Sequence, residues 1–154
     1  MIRVGIIGSG FIGPAHIEAI RRLGFVEVVA LAENSLDLAQ QKARQLNIPH
    51  AYGSVADLLN HPGIDAIHNC TPNHLHAAIN KQIIQAGKHA FSEKPLGITS
   101  EEARELVALA EENGVVHGVS FVYRSFGMAQ QAPSMITRPE LGRVFAVHAV
   151  SLHD

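Results

Sequence analysis

The feature that most restricts the fold is a repeated beat: a short apolar run, then a turn or capping residue, then a stretch with helical spacing. Val4 to Ile7 is the first such run, and an apolar stretch holding Ile12, Ile17, Ile20 and Leu23 follows it up to Gly24. Val26 to Ala32 is the second run, and Ser35 can cap a helix carrying Leu36, Ala39, Ala43 and Leu46, with Pro49 beyond its end. A short strand near Ala51–Tyr52, a small helix over 55–59 and a turn at His61-Pro62-Gly63 come next. Residues 64–70 then read as a strand, 73–86 as a helix and 88–91 as a strand stub. Thr99 with Glu102 three residues later forms a capping box, and the helix it opens stops at Asn113-Gly114 before a last run over 115–122. Apolar runs this continuous belong to strands covered on both faces, so the expected fold class is α/β, a Rossmann-type doubly wound parallel sheet.

The beat stops after Tyr123. Residues 126–136 read as a polar helix broken by Pro133, and residues 143–152 as a strand whose two faces are both mostly apolar. An edge like that is a template for pairing, which predicts a homo-oligomer joined through it. The sequence therefore divides into a domain over 1–122 and a stretch of different rhythm over 123–154. With 12 basic and 14 acidic side chains, nothing points to nucleic acid. No apolar run approaches the roughly 18 residues of a membrane span, and the start has no signal-peptide pattern. The one cysteine, Cys70, has no partner for an internal disulfide, which favours a reducing, cytoplasmic setting.

Gly8-Ser9-Gly10-Phe11-Ile12-Gly13 follows the first strand and opens the first helix. The glycines of such a loop serve different ends, with a tight turn at Gly8, close approach of a pyrophosphate at Gly10 and close packing of helix on strand at Gly13. The helix N-terminus adds free N–H groups and a favourable dipole. Glu33 ends the second strand about twenty residues further on, where a carboxylate accepts hydrogen bonds from an adenosine ribose and repels a 2′-phosphate. The expected cofactor is NAD, with NADP less favoured; a distant cation such as Arg44 is what could reverse that order.

Thr71-Pro72-Asn73-His74-Leu75-His76 and Ser92-Glu93-Lys94-Pro95 both follow strands, at the edge where doubly wound sheets bind ligands. His74 and His76 also read as a metal pair, but residues two apart on a helix point to different faces, and no further ligand set accompanies them. No metal is expected, and the excess of 10 histidines is read as scattered surface and helix-end residues. An ammonium at Lys94 could meet the oxygen of a reacting alcohol or carbonyl and stabilise negative charge there. A surface ion pair with Glu93 is the other reading of the same two residues.

The order of these motifs resembles the glucose–fructose oxidoreductase/inositol dehydrogenase (Gfo/Idh/MocA) family. Gly8, Gly10, Gly13, His16, Glu33, Thr71, Pro72, His76, Glu93, Lys94 and Pro95 stand in matching places. Phe121-Val122-Tyr123-Arg124 is similar to a family segment in which Asn usually occupies the position of Val122, and residues 140–144 resemble the turn into the second domain. The resemblance implies an NAD(P)-dependent oxidoreductase acting on a sugar, cyclitol or related small molecule. It implies that residues 123–154 begin an α+β second domain. It implies Lys94 and Glu93 as the catalytic pair, both also beside the cofactor, and Gly8, Ser9, Gly10, Phe11 and Ile12 on the pyrophosphate. Glu33 and Asn34 fall on the ribose, Thr71, Pro72, Asn73 and His76 beside the ring, and Arg124 near the cofactor. Family members run to more than twice this length and carry a substrate domain with a further Asp/His pair, which adjacent His153 and Asp154 do not reproduce. The 154-residue chain is therefore expected to bind NAD(H) at micromolar levels without turnover. A stand-alone dinucleotide sensor and an S-adenosylmethionine site are the competing readings.

Overall fold

The computed structural model describes residues 1–139, 142–148 and 150. The strands are β1 (Ile2–Ile7), β2 (Val26–Ala32), β3 (His50–Tyr52), β4 (Ala66–Asn69), β5 (His89–Ser92) and β6 (His117–Val119). All neighbours pair parallel, in the order β3-β2-β1-β4-β5-β6. That order reverses direction between β1 and β4, the switch point where such a sheet opens a crevice at its carboxyl ends.

Helices α1 (Gly13–Arg22), α2 (Leu36–Leu46), α3 (Val55–Leu59), α4 (His76–Gln85) and α5 (Ser100–Glu112) make the crossovers. The helices pack on two faces because the strands bury both. Val4, Ile6, Val28 and Leu31 meet Ile17, Ile20 and Ala43 of α1 and α2 on one side. Ile7, Val29 and Ile67 meet Leu58, Ile79, Ile83 and Leu106 of α3, α4 and α5 on the other. The expected capping box is present: Thr99 accepts from the Glu102 N–H, and the Glu102 carboxylate accepts from the Thr99 N–H.

The chain divides into two compact units, Met1–Ser120 and Phe121–Asp154. In the second unit Val122–Ser125 is a 3-10 turn and α6 spans Gly127–Ile136. Three sequence expectations change. The strand expected over 115–122 pairs only at His117–Val119, and Val122 is helical instead. Helix α6 runs through Pro133 unbroken, although proline supplies no N–H to the preceding turn. Residues 142–148 form no strand, because a strand exists only through a hydrogen-bonded neighbour and none of the described residues provides one. Glu140, Leu141, His153 and Asp154 lie outside the described residues.

Candidate active site

The glycine loop is shaped by two different pressures. Gly8 has φ +85, and a Cβ there would lie 2.9 Å from the Cys70 carbonyl oxygen. At Gly13 a Cβ would lie 2.5 Å from the Gly8 oxygen. The protein itself forbids side chains at both. Gly10 is unlike them: a Cβ would meet nothing within 4 Å. Its missing side chain leaves room on the outside of the loop, where Phe11 is fully exposed.

Helix α1 begins directly behind that space with no side-chain cap and no acidic residue in its first turn. The N–H groups of Gly10, Phe11 and Ile12 donate to no acceptor among the described residues. Unsatisfied donors plus the positive end of the helix dipole suit an anion. Glu33 closes the other side: its Oε1 accepts from both the N–H and the hydroxyl of buried Ser9, each at 2.6 Å. Only one carboxylate oxygen is used by these bonds, so Oε2 keeps its lone pairs for other donors. Asn34 beside it is exposed. The residues present therefore fit a dinucleotide.

The loop after β4 is fixed by buried polar groups that no motif marks. Asn69 accepts from the Thr71 hydroxyl at 2.6 Å and donates to Asn80 at 2.9 Å. Asn80 in turn donates to the Ser92 hydroxyl at 2.9 Å, and all three of Asn69, Asn80 and Ser92 are completely buried. The available signal is a small polar residue ending a strand, once in β4 and once in β5, with Asn80 one turn beyond His76. Buried amides need every partner, so such a network fixes one geometry for the loops it joins.

His76 is also completely buried. Its ring nitrogens lie 2.6 Å from the Pro95 carbonyl and 2.7 Å from the Thr71 carbonyl. Expected from the sequence beside the ring of a cofactor, the imidazole is enclosed here and ties the Thr71 and Pro95 loops together. Pro72, Asn73 and His74 stay exposed on the same loop. Exposed His74 and enclosed His76 share no surface, and among the described residues no three His, Cys, Asp or Glu side chains form a metal-binding group.

After β5 the two readings of Glu93 and Lys94 separate. Glu93 is 9% exposed and faces inward, with Oε1 at 2.9 Å from His16 Nε2 and Oε2 accepting the Lys94 N–H at 3.2 Å. Lys94 is exposed, and its ammonium meets no carboxylate among the described residues. The surface ion pair is not formed. Burial raises the Glu93 carboxyl pKa, but the hydrogen bonds from His16 and the Lys94 N–H pull the other way, and the net shift is downward. Cys70 is pushed up to about 12 by burial and then by the Glu93 charge, so its thiol is inert at neutral pH.

Behind His16 lies His68 of β4, with the two Nδ1 atoms 2.9 Å apart and the rings edge to face. Burial, then the neighbouring His16, lowers His68 from 6.5 to about 4. Between those values the unfolded chain binds a proton at His68 that the folded protein refuses. Stability from this group is therefore complete above pH 6.5 and is lost as pH falls toward 4, by about 3 kcal/mol in all. Urea unfolding at pH 7 and pH 4 is expected to show that loss in the native chain and to show it reduced in His68→Phe.

Residues 2–121 match the oxidoreductase family, NAD-binding Rossmann fold, Gfo/Idh/MocA. The chain belongs to this family. Levoglucosan dehydrogenase of Pseudarthrobacter phenanthrenivorans is 32% identical over 99% of this chain and 41% of its own length. The 1,5-anhydro-D-fructose reductase of Ensifer adhaerens is 36% identical over 99% of this chain and 46% of its own. Among solved structures, levoglucosan dehydrogenase in complex with NADH and levoglucosan superposes with TM-score 0.84 at 31% identity, covering 92% of this chain and 40% of that one. A 3-ketoreductase from Actinomadura kijaniata in complex with NADP superposes with TM-score 0.82 at 29% identity, covering 88% and 43%. This Gfo/Idh/MocA chain spans less than half the length of these relatives. Arg124 lies in the second unit, in the exposed 3-10 turn, where its N–H donates to the Phe121 carbonyl at 3.0 Å.

Proposed function

We propose that this chain is the dinucleotide-binding part of an oxidoreductase. The enzyme moves a hydride between a nicotinamide and a hydroxyl or carbonyl group of a sugar, cyclitol or related compound. The observation that carries the reading is the Lys94 ammonium, exposed and without a carboxylate partner among the described residues, at the carboxyl edge of the sheet that also holds the open glycine loop. NAD is favoured over NADP, since the free Oε2 of Glu33 suits ribose hydroxyls and its charge opposes a 2′-phosphate.

When bound, the nicotinamide accepts or delivers the hydride. The chain supplies the rest. The α1 N-terminus and the N–H groups of Gly10, Phe11 and Ile12 hold the pyrophosphate, and Asn34 joins Glu33 at the ribose. Thr71, Pro72 and Asn73 border the reacting end. Lys94 donates a hydrogen bond to the substrate oxygen, steadies negative charge as it develops and exchanges a proton at that atom. Glu93 acts through Lys94 from below, and Arg124 is assigned to the cofactor side on family resemblance.

The dinucleotide-binding domain is taken as residues 1–122, and residues 123–154 as the start of a substrate and self-association domain. Val144, Phe145, Val147 and Val150 are all exposed in the described chain, in keeping with a homo-oligomer formed there. Among the described residues no helix is long and apolar enough to cross a membrane, and the lone buried thiol supports a cytoplasmic setting.

Calorimetry of the chain with NADH, NADPH and S-adenosylmethionine tests the assignment. Micromolar NADH binding, weaker NADPH binding and no heat from S-adenosylmethionine are expected. Binding only of S-adenosylmethionine would overturn the reading. Lys94→Met is expected to leave NADH affinity within about threefold. In an enzyme uniting this domain with its substrate domain, it should cut turnover by about 100-fold or more.

A further inference from the structure

The exposed ammonium of Lys94 sits next in sequence to the Glu93 carboxylate, and the two do not pair. The Glu93 carboxylate is committed to the interior. Its Oε1 is bound by His16 from α1, and His16 is held from behind by His68 of β4. Phe91 of β5 packs against both rings, with centroids 4.9 Å from His68 and 6.0 Å from His16. The charged or titratable groups around this cluster are Glu93 on the β5 side, the Cys70 thiol after β4, and the two histidines themselves.

We propose that His68 and His16 are positioning residues that keep Glu93 turned inward and thereby leave the Lys94 ammonium free for substrate. The geometry sets the direction of the donors. Two facing Nδ1 atoms hold one proton between them, and a ring nitrogen facing a carboxylate must carry one. His16 Nε2–H donates to Glu93, its Nδ1 accepts, and His68 donates Nδ1–H. Glu93 then accepts the Lys94 N–H on its second oxygen, so the relay ends on the backbone of the residue it serves. His68 is thereby held in the Nδ1–H tautomer, the minor form of a free imidazole, and the bond it makes fixes the orientation of the His16 ring. None of these roles is legible from spacing, since the three residues lie on three separate elements.

The inference rests on Lys94 meeting substrate, but its test does not depend on turnover. Nitrogen-15 NMR of the histidine rings in the 154-residue chain at pH 7 is expected to show His68 as the Nδ1–H tautomer and His16 as Nε2–H. A doubly protonated His16, or either ring averaging between tautomers, would overturn the relay. The lysine titration followed by NMR gives a second readout. In His16→Phe the released Glu93 carboxylate should pair with Lys94 and raise its titration midpoint by about half a pH unit, the size of one exposed ion pair. His16→Gln keeps a donor toward Glu93 and should leave the midpoint where it is in the native chain. An unchanged midpoint in His16→Phe, with NADH affinity intact as evidence of folding, sinks the proposal. Normal turnover in Lys94→Met would instead remove the role given to Lys94 and leave the tautomers as they are.

Discussion

Gly10→Asp is expected to abolish NADH binding, by about 100-fold or more in Kd, while the melting temperature stays within about 2 °C of the native chain. The two halves of that result have separate causes. Beyond its chain neighbours, no atom of the described residues lies within 4 Å of the new Cβ, so folding has nothing to object to. The space the side chain enters is the space left for a diphosphate, and a carboxylate there meets like charge beside donors it then satisfies itself. Gly10→Ala, which adds bulk without charge, should lie between native and Asp. Gly13→Ala reverses the pattern: its Cβ would press on the Gly8 carbonyl oxygen at 2.5 Å, a backbone atom with little room to shift. A loss of about 1–3 kcal/mol in unfolding free energy is expected there. Calorimetric titration and thermal melts of the three variants check this together. Undiminished NADH affinity in Gly10→Asp would place the cofactor elsewhere.

Changing Glu33 is expected to shift the choice between NADH and NADPH. Glu33→Gln isolates the charge. The amide oxygen can still accept from the Ser9 N–H and hydroxyl, as Oε1 does now, while the free oxygen becomes an N–H₂ donor. Lost charge-assisted bonds to the ribose should weaken NADH by about 10-fold, and removed repulsion should strengthen NADPH, for a preference shift of about 10- to 100-fold. Stability should hold. Glu33→Ala adds a structural loss, because Ser9 is 2% exposed and its N–H is left without an acceptor. That unsatisfied donor costs about 1–3 kcal/mol. If NADPH binds no better in Glu33→Gln than in the native chain, the carboxylate is not the discriminator.

The parts of the site readable in the sequence are those written in adjacent residues. The glycine loop needs three residue positions and a strand before it, and Glu33 is located by counting along one crossover. Lys94 stands out because a charged pair before proline is unusual at the end of a buried strand. Its two readings do not separate along the chain, since what decides them is where the Glu93 carboxylate turns. His76 falls at the site by its position in a motif, but its burial and its two carbonyl partners make it a brace between loops. His16, in sequence only a motif position, and His68, one of many scattered histidines, are partners across α1 and β4.

By itself the sequence determined the alternation of strand and helix, because apolar periodicity and caps act over a few residues and carry over into any packing. It also determined the glycine loop, whose local backbone demands leave few alternatives. Only the tertiary structure decided what each polar group faces. Asn69, Asn80 and Ser92 come from β4, α4 and β5, and the relay from α1, β4 and the end of β5. Such contacts depend on strand order and register, which place residues separated by as much as 77 positions within 2.9 Å. The described residues 143–148 of the terminal run mark the same limit from the other side. Their apolar character is a property of the sequence, whereas a strand forms only when a partner supplies the second half of each hydrogen bond.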